Sequence, residues 1–152
     1  MGNPQHDQRV LGRPIEPLLP AAADQRRQRL DAGHVLLANG GDALGAAAIY
    51  DLLDREDRRC AVTIVVHGCH MDVRDGTLRG GDEWIDLWAR QRGVRVEPVP
   101  PEPHLWGPGA NAMRWRQALE RGVHGVVLLP GADPVLERLA QHAGVPIRRP
   151  IK

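Results

Sequence analysis

The chain has almost no lysine, no phenylalanine and few aromatics of any kind. Lys152 is the only lysine, so nearly all of the 20 basic residues are arginines, which points to a GC-rich source before it points to a function. Against 19 acidic residues they leave a formal charge of +1, and no strong field of one sign draws the protein to nucleic acid or a membrane surface. A basic stripe and interleaved aromatics are both missing, so nucleic acid is not expected as a partner. With Phe absent and four Trp and one Tyr the only aromatics, the core must be built from Val, Leu, Ile and Ala. No apolar run approaches a transmembrane span, and the amino terminus has no stretch that reads as a signal peptide. Cysteine is limited to Cys60 and Cys69. They bracket an apolar run, and an extended segment of that length holds them roughly 30 Å apart at ~3.3 Å per residue, too far for a disulfide. Two unpaired thiols fit a reducing compartment. The expectation is a soluble cytoplasmic protein with no membrane partner.

Glycine and proline are plentiful, 17 and 13 in 152 residues, and they punctuate a regular series of apolar runs. Val62 to Val66 is apolar or β-branched without alternation, the pattern of a strand buried on both faces of a parallel sheet. His67 and Gly68 then stand at its carboxyl end. From Gly81 onward Trp84, Ile85, Leu87 and Trp88 can lay a helical face on that sheet. Runs of the same kind occur at His34 to Ala38, Val94 to Val96, Gly125 to Leu129 and Val145 to Arg148. Helical patterns occupy Ala43 to Leu53, Gly109 to Arg121 and Val135 to Ala143, while Pro98 to Pro108 reads as an ordered loop. Five alternations of strand and helix predict an α/β, Rossmann-like, doubly wound fold with a mainly parallel five-stranded sheet and helices on both faces. Residues 1–33 read as an amino-terminal arm with a short helix over Ala21 to Ala32, whose Arg26, Arg27 and Arg29 form a solvated face, and residues 34–152 as the ligand-binding domain.

Right-handed crossovers place the turns that follow the strands on one edge of such a sheet. Three turns should meet there: Asn39, Gly40, Gly41 and Asp42; His67 and Gly68 with Gly81 and Asp82; and Pro130 with Gly131. Trp106, Gly107, Arg114 and Arg116 supply a fourth wall, with at least one of the two arginines expected in solvent. Glycine lets a ligand approach the backbone, arginine grips phosphate bidentately, and carboxylates suit ribose hydroxyls. The set suits a nucleotide or phosphoribosyl compound, although Asp82 could equally cap its helix. His67, Cys69, His70 and Asp72 lie within six residues but match no standard zinc pattern, so neither a metal nor a cofactor is expected. Cys69 as a nucleophile would need His67 or His70 as its base. Trp84, Trp88 and Trp115 have two readings, core or the face of a homodimer.

Asn39-Gly40-Gly41-Asp42 after the first strand, His67-Gly68 and Gly81-Asp82 around the second turn, Trp88-Ala89, Arg92-Gly93-Val94, Trp106-Gly107, Arg114-Trp115-Arg116 and Pro130-Gly131 together resemble the YspA-like branch of the SLOG superfamily. That superfamily joins the Smf/DprA proteins and the Lonely Guy phosphoribohydrolases and is widespread in bacteria and phages. The resemblance covers roughly residues 34 to 150 and implies a Rossmann-like sheet whose glycine turns hold a nucleotide-derived ligand. Asp42 replaces the arginine usual in the first turn, and Cys69 replaces the second glycine of a compact His-Gly-Gly turn, where this chain has an insertion. Pro130-Gly131-Ala132-Asp133-Pro134 stands where the hydrolytic members have Pro-Gly-Gly-x-Gly-Thr, and Glu137 falls one position early for their catalytic glutamate. Three functions follow. The first is binding of a nucleotide-derived ligand, phosphoribosyl or ADP-ribose-like, by a sensor or sequestering module. The second is hydrolysis of an N-glycosidic or phosphoribosyl bond, with Asp82 or Glu137 as acid or base. The third is a degenerate scaffold that acts through protein contacts.

Overall fold

The computed structural model describes residues 20–71 and 74–150. Five parallel strands, β1 (His34–Asn39), β2 (Val62–His67), β3 (Arg95–Pro98), β4 (Gly125–Leu128) and β5 (Ile147–Arg148), form one sheet in the order β3-β2-β1-β4-β5. The helices are α1 (Pro20–Ala32), α2 (Ala46–Arg59), α3 (Gly80–Arg92), α4 (Pro103–Trp106), α5 (Ala110–Arg121) and α6 (Pro134–Ala143), with a 3-10 turn at Gly107–Gly109. The order reverses between β1 and β4, so the expected doubly wound α/β fold is present.

The sheet's two faces explain why its strands show no alternation in sequence. Val35 and Leu37 of β1 join Val66, Val126 and Leu128 under Trp115 and Leu119 of α5 and Leu136 of α6. Leu36 and Ala38 point the other way, with Val65 and Val127, under Leu53 of α2 and Ile85 and Trp88 of α3. Successive side chains on a strand face opposite sides, so a strand covered twice must be apolar throughout. Trp88 and Trp115 are fully buried, one filling each layer, and Trp84 is partly buried against the α2/α3 layer. These tryptophans are core, and Trp88 and Trp115 offer no surface for a second copy.

Two segments differ from the sequence expectation. α2 does not stop at Leu53 but continues to Arg59, because its charged turns have partners. The Asp54 carboxylate accepts the Trp88 indole N–H at 2.8 Å and two Arg92 bonds at 3.1 Å, and buried Glu56 lies 3.4 Å from Arg148. The proline-rich segment is not wholly irregular either. Pro103 opens α4 at its first position, where its missing N–H would have had no intrahelical acceptor, and the N–H groups of Leu105 and Trp106 donate to the Glu102 carbonyl.

α1 has little amphipathic character, and a salt bridge fixes it to the sheet. Arg29 donates through both terminal nitrogens to the two Glu97 oxygens, at 2.9 and 2.7 Å, and through Nε to the Gly122 carbonyl at 3.0 Å. The side chains of Arg29 and Glu97 are only 16% and 12% exposed, against 67% for Arg27. The solvated face expected for α1 therefore includes Arg27 and excludes Arg29. Hydrogen bonds from Arg29, working against the cost of burial, hold the Glu97 carboxyl below its ordinary range. Arg29→Ala is expected to lower stability by about 2 kcal/mol, by removing the hydrogen bonds to this carboxylate and leaving it only Arg121 and Arg95, at 3.7 and 3.8 Å. The depressed Glu97 value makes the wild-type contribution complete above the unfolded glutamate pKa of about 4.3, and it is lost as pH falls through the folded value. Urea melts at pH 7 and pH 3.5 should therefore show a smaller Arg29→Ala deficit in acid, and an equal deficit at both would refute this role for the pair.

Candidate functional site

Strand register brings the turns together. Ala38 pairs with His67, Asn39 with Leu128, and His67 with Pro98, so the first, second and fourth strands end side by side. Beyond them, the Gly41 N–H donates to the Pro130 carbonyl at 3.0 Å, and the Gly81 N–H to the Gly41 carbonyl at 2.8 Å. The expectation that Gly40, Gly68 and Gly131 share one rim is met. What the glycines make room for is chiefly one another. A Cβ on Gly131, whose φ is +83°, would lie 3.0 Å from the Gly41 Cα, and one on Gly68 would lie 2.8 Å from both Asn39 Nδ2 and a Trp115 ring carbon.

A buried polar network lies directly beneath this rim. Asn39 is 7% exposed; its Nδ2 donates to Asp82 Oδ1 at 3.5 Å, and its Oδ1 accepts the Asp133 N–H at 2.9 Å. Asp82 is fully buried and accepts the His70 N–H at 3.0 Å through Oδ2. It stands inside α3, whose preceding residue Arg79 makes no side-chain cap, so Asp82 is not the helix cap. Burial pushes the Asp82 carboxyl above its ordinary value, against the His70 N–H and the positive charge of Arg114. Asp133 does cap a helix. Its Oδ1 accepts the Val135 N–H of α6 at 2.9 Å, while Oδ2 accepts Asn111 Nδ2 at 2.7 Å and the Trp115 indole N–H at 2.9 Å. Burial opposes ionisation of Asp133, but these donors outweigh it and hold the carboxyl below its usual range.

Arg114 belongs to the same network. Its Nη1 donates to the Gly68 carbonyl, its Nε donates to Asn111 Oδ1 at 2.9 Å, and its guanidinium stacks over Trp115 with 4.2 Å to the ring centroid. Arg116 is 9% exposed. The expectation that one of the two arginines would be solvated fails, because α5 is flanked by α1, α4 and α6 as well as the sheet. Trp106 is partly buried and Gly107 exposed at the end of α4, while Asp42 is exposed, with Oδ1 beside Gly80.

His67 turns away from the rim. Its Nδ1 accepts the Cys69 N–H at 3.0 Å, which leaves the ring proton on Nε2, 2.8 Å from Asp86 Oδ2. Burial raises the Cys69 thiol, and Asp82 and Asp86 raise it further. A thiol held protonated is a poor nucleophile. Among the described residues, no group of three or more His, Cys, Asp or Glu is placed to hold a metal ion, and Asp72 lies outside the described residues.

Open space lies on the other side of the Pro130 turn. A cavity of about 490 Å³ is lined by Leu44, Leu129, Pro130, Gly131, Ala132 and Pro134, with Asp133, Glu137 and Arg149 supplying its charged side chains. Asp82 and Arg114 are not among its walls. Next to Leu44, Gly45 precedes α2 with no side-chain cap and no acidic residue in the first turn, and a Cβ on Gly45 would meet nothing within 4 Å. The N–H groups of that turn lack intrahelical acceptors. Gly45 and Arg149 are not singled out in the sequence, and Leu44 reads only as an apolar position of the helical pattern from Ala43 to Leu53, whereas the helix begins at Ala46. The short apolar step between Gly41 and the Ala46 helix, and the Arg149-Pro150 that follows the last strand, are the available signals. Compared with protein-family models and with curated protein sequences, the chain matches none.

Cys69 is the one non-glycine with positive φ, +53°, among the described residues. Cys69→Gly is expected to raise stability by about 0.5–1 kcal/mol, since relief of roughly 1–2 kcal/mol of left-handed strain exceeds the entropy that glycine loses on folding. Cys69→Val should lower it. A lower urea midpoint for the glycine variant would show that packing of the thiol outweighs the strain.

Proposed function

We propose that the protein binds a nucleotide or nucleotide-derived ligand, phosphoribosyl or ADP-ribose-like, as a sensor or sequestering module. One observation carries this reading: at the point where the strand order reverses, a cavity of about 490 Å³ is lined by Leu44, two residues before α2 and next to its uncapped Gly45. Doubly wound sheets bind ligands outside the carboxyl ends of their strands at such a point. An uncapped helix amino end favours an anionic group, and the cavity falls within the roughly 300–1,000 Å³ of small-molecule sites. In this reading phosphate meets the backbone of Ala46 to Ala48, and the rest of the ligand lies between Leu44 and the Pro130–Gly131 turn. Asn39, Asp82 and Arg114 act as the brace that keeps both turns in place. Binding is better supported than hydrolysis. Asp82 does not line the cavity, and Glu137, which does, is ion-paired with Arg149.

The test is Gly45→Asp, which places a carboxylate where the ligand's phosphate is expected. Aspartate is a good helix cap, so stability should stay level or rise by about 0.3 kcal/mol. Affinity for nucleoside phosphates and ADP-ribose, found first by thermal shift across a panel and then by calorimetry, should fall at least ~10-fold. Undiminished affinity in a variant that melts normally would overturn the assignment of the phosphate to α2.

A further inference from the structure

The cavity beside α2 carries a feature that bears on which base it accepts. Its walls are aliphatic, with Leu44, Leu129, Pro130 and Pro134 forming an aromatic-free slot; of its three charged side chains Asp133 is taken up by Val135, Asn111 and Trp115, which leaves Glu137 and Arg149. These side chains meet through one atom each, Arg149 Nη2 on Glu137 Oε1. Among the described residues, no further hydrogen bond or ion pair is made by Glu137 Oε2 or by Arg149 Nε and Nη1. The pair thus presents, side by side, a carboxylate whose Oε2 is open and whose Oε1 keeps a second lone pair, and guanidinium N–H groups that can donate.

A planar base lying in the slot would have its edge read by that pair. Guanine displays an acceptor, O6, followed by two donors, N1–H and the 2-amino group. A carboxylate accepts from both donors while a neighbouring guanidinium donates to O6, which uses all three positions. Adenine offers one donor beside one acceptor and cytosine one donor beside two acceptors, so in neither does the second carboxylate oxygen gain a partner. Uracil sets one donor between two acceptors, and one of these acceptors must face the carboxylate. Polar groups that a bound base covers and leaves unmatched are what make such a site selective. Arg149 also neutralises Glu137, so covering the carboxylate with a base does not strand a charge.

Resting on the nucleotide-binding reading above, we propose that this cavity is selective for guanine, with Glu137 and Arg149 as its specificity-determining residues. The experiment is calorimetric titration of the full chain with GMP, IMP, AMP, CMP and UMP. IMP keeps O6 and N1–H but lacks the 2-amino group. GMP should bind about 10-fold more tightly than AMP, within the discrimination expected of one bidentate base contact, with IMP between them. Glu137→Gln should lower GMP affinity about 10-fold and leave AMP within about 2-fold. Both side chains are on the surface, 36% and 55% exposed, so an unchanged melting temperature can be used to verify folding. Equal affinities for all five nucleotides, unaltered by Glu137→Gln, would overturn guanine selectivity while leaving nucleotide binding intact. Binding of none of them would overturn both, and a preference for AMP would overturn the base assignment alone.

Discussion

The arrangement at the carboxyl edge of the sheet depends on the side-chain amide of Asn39. It is the last residue of β1, the central strand, and the strands on either side, β2 and β4, end beside it. One end of its amide donates to Asp82 at the start of α3; the other accepts the Asp133 N–H at the start of α6. A buried amide has donors and an acceptor that must all find partners. Few side chains could serve one partner on each neighbouring connection. Leucine would leave the Asp133 N–H unsatisfied, and aspartate would set a second carboxylate against Asp82. The turns above it can then pack backbone to backbone, as Gly41 and Gly131 do, because what lies beneath them is fixed.

Around Asn39 the network balances charge against burial. Asp133 keeps its negative charge because three donors converge on it: a helix N–H, the Asn111 amide and the Trp115 indole. Asp82 has one backbone donor at 3.0 Å and a long contact to Asn39, and its carboxyl shifts upward. Asp82 is fully buried and Asp133 only partly, so the greater desolvation and the fewer short hydrogen bonds act together to raise Asp82. Arg114 closes the network by stacking on Trp115 and donating to Gly68, so a guanidinium that could have bound phosphate instead ties β2's turn to α5.

The architecture was legible in the sequence because it rests on patterns that survive averaging along the chain. Apolar runs without alternation, glycine at helix ends and the strand–helix rhythm each repeat several times, and any one could be misread without altering the outcome. The meeting of Gly40, Gly68 and Gly131 at one rim followed from parallel topology alone. The direction of individual side chains did not follow. Arg114 and Arg116 are two residues apart on α5 and both are largely buried, because four elements pack around that helix, a fact that depends on α1 and α4 docking. Likewise Glu56 and Asp54 look like a solvated charge run until Arg148, Trp88 and Arg92 arrive from distant parts of the chain. Pairings between residues far apart in sequence carry no local signal, and they set which polar groups remain open to a ligand.

This separation explains why the accessible chemistry lies beside the motifs and not on them. Three helices begin near the rim after β1, β2 and β4, and each first turn could in principle receive an anion. At α6, Asp133 already occupies that role, as a carboxylate of the protein's own. At α3, the Gly81 N–H is bonded to the Gly41 carbonyl. At α2 the cap is Gly45, which has no side chain to offer and open space around it. The Asp133 cap in the last turn and the close packing at the second turn thus have the same consequence. They move the place where negative charge is best received to the helix that follows the central strand.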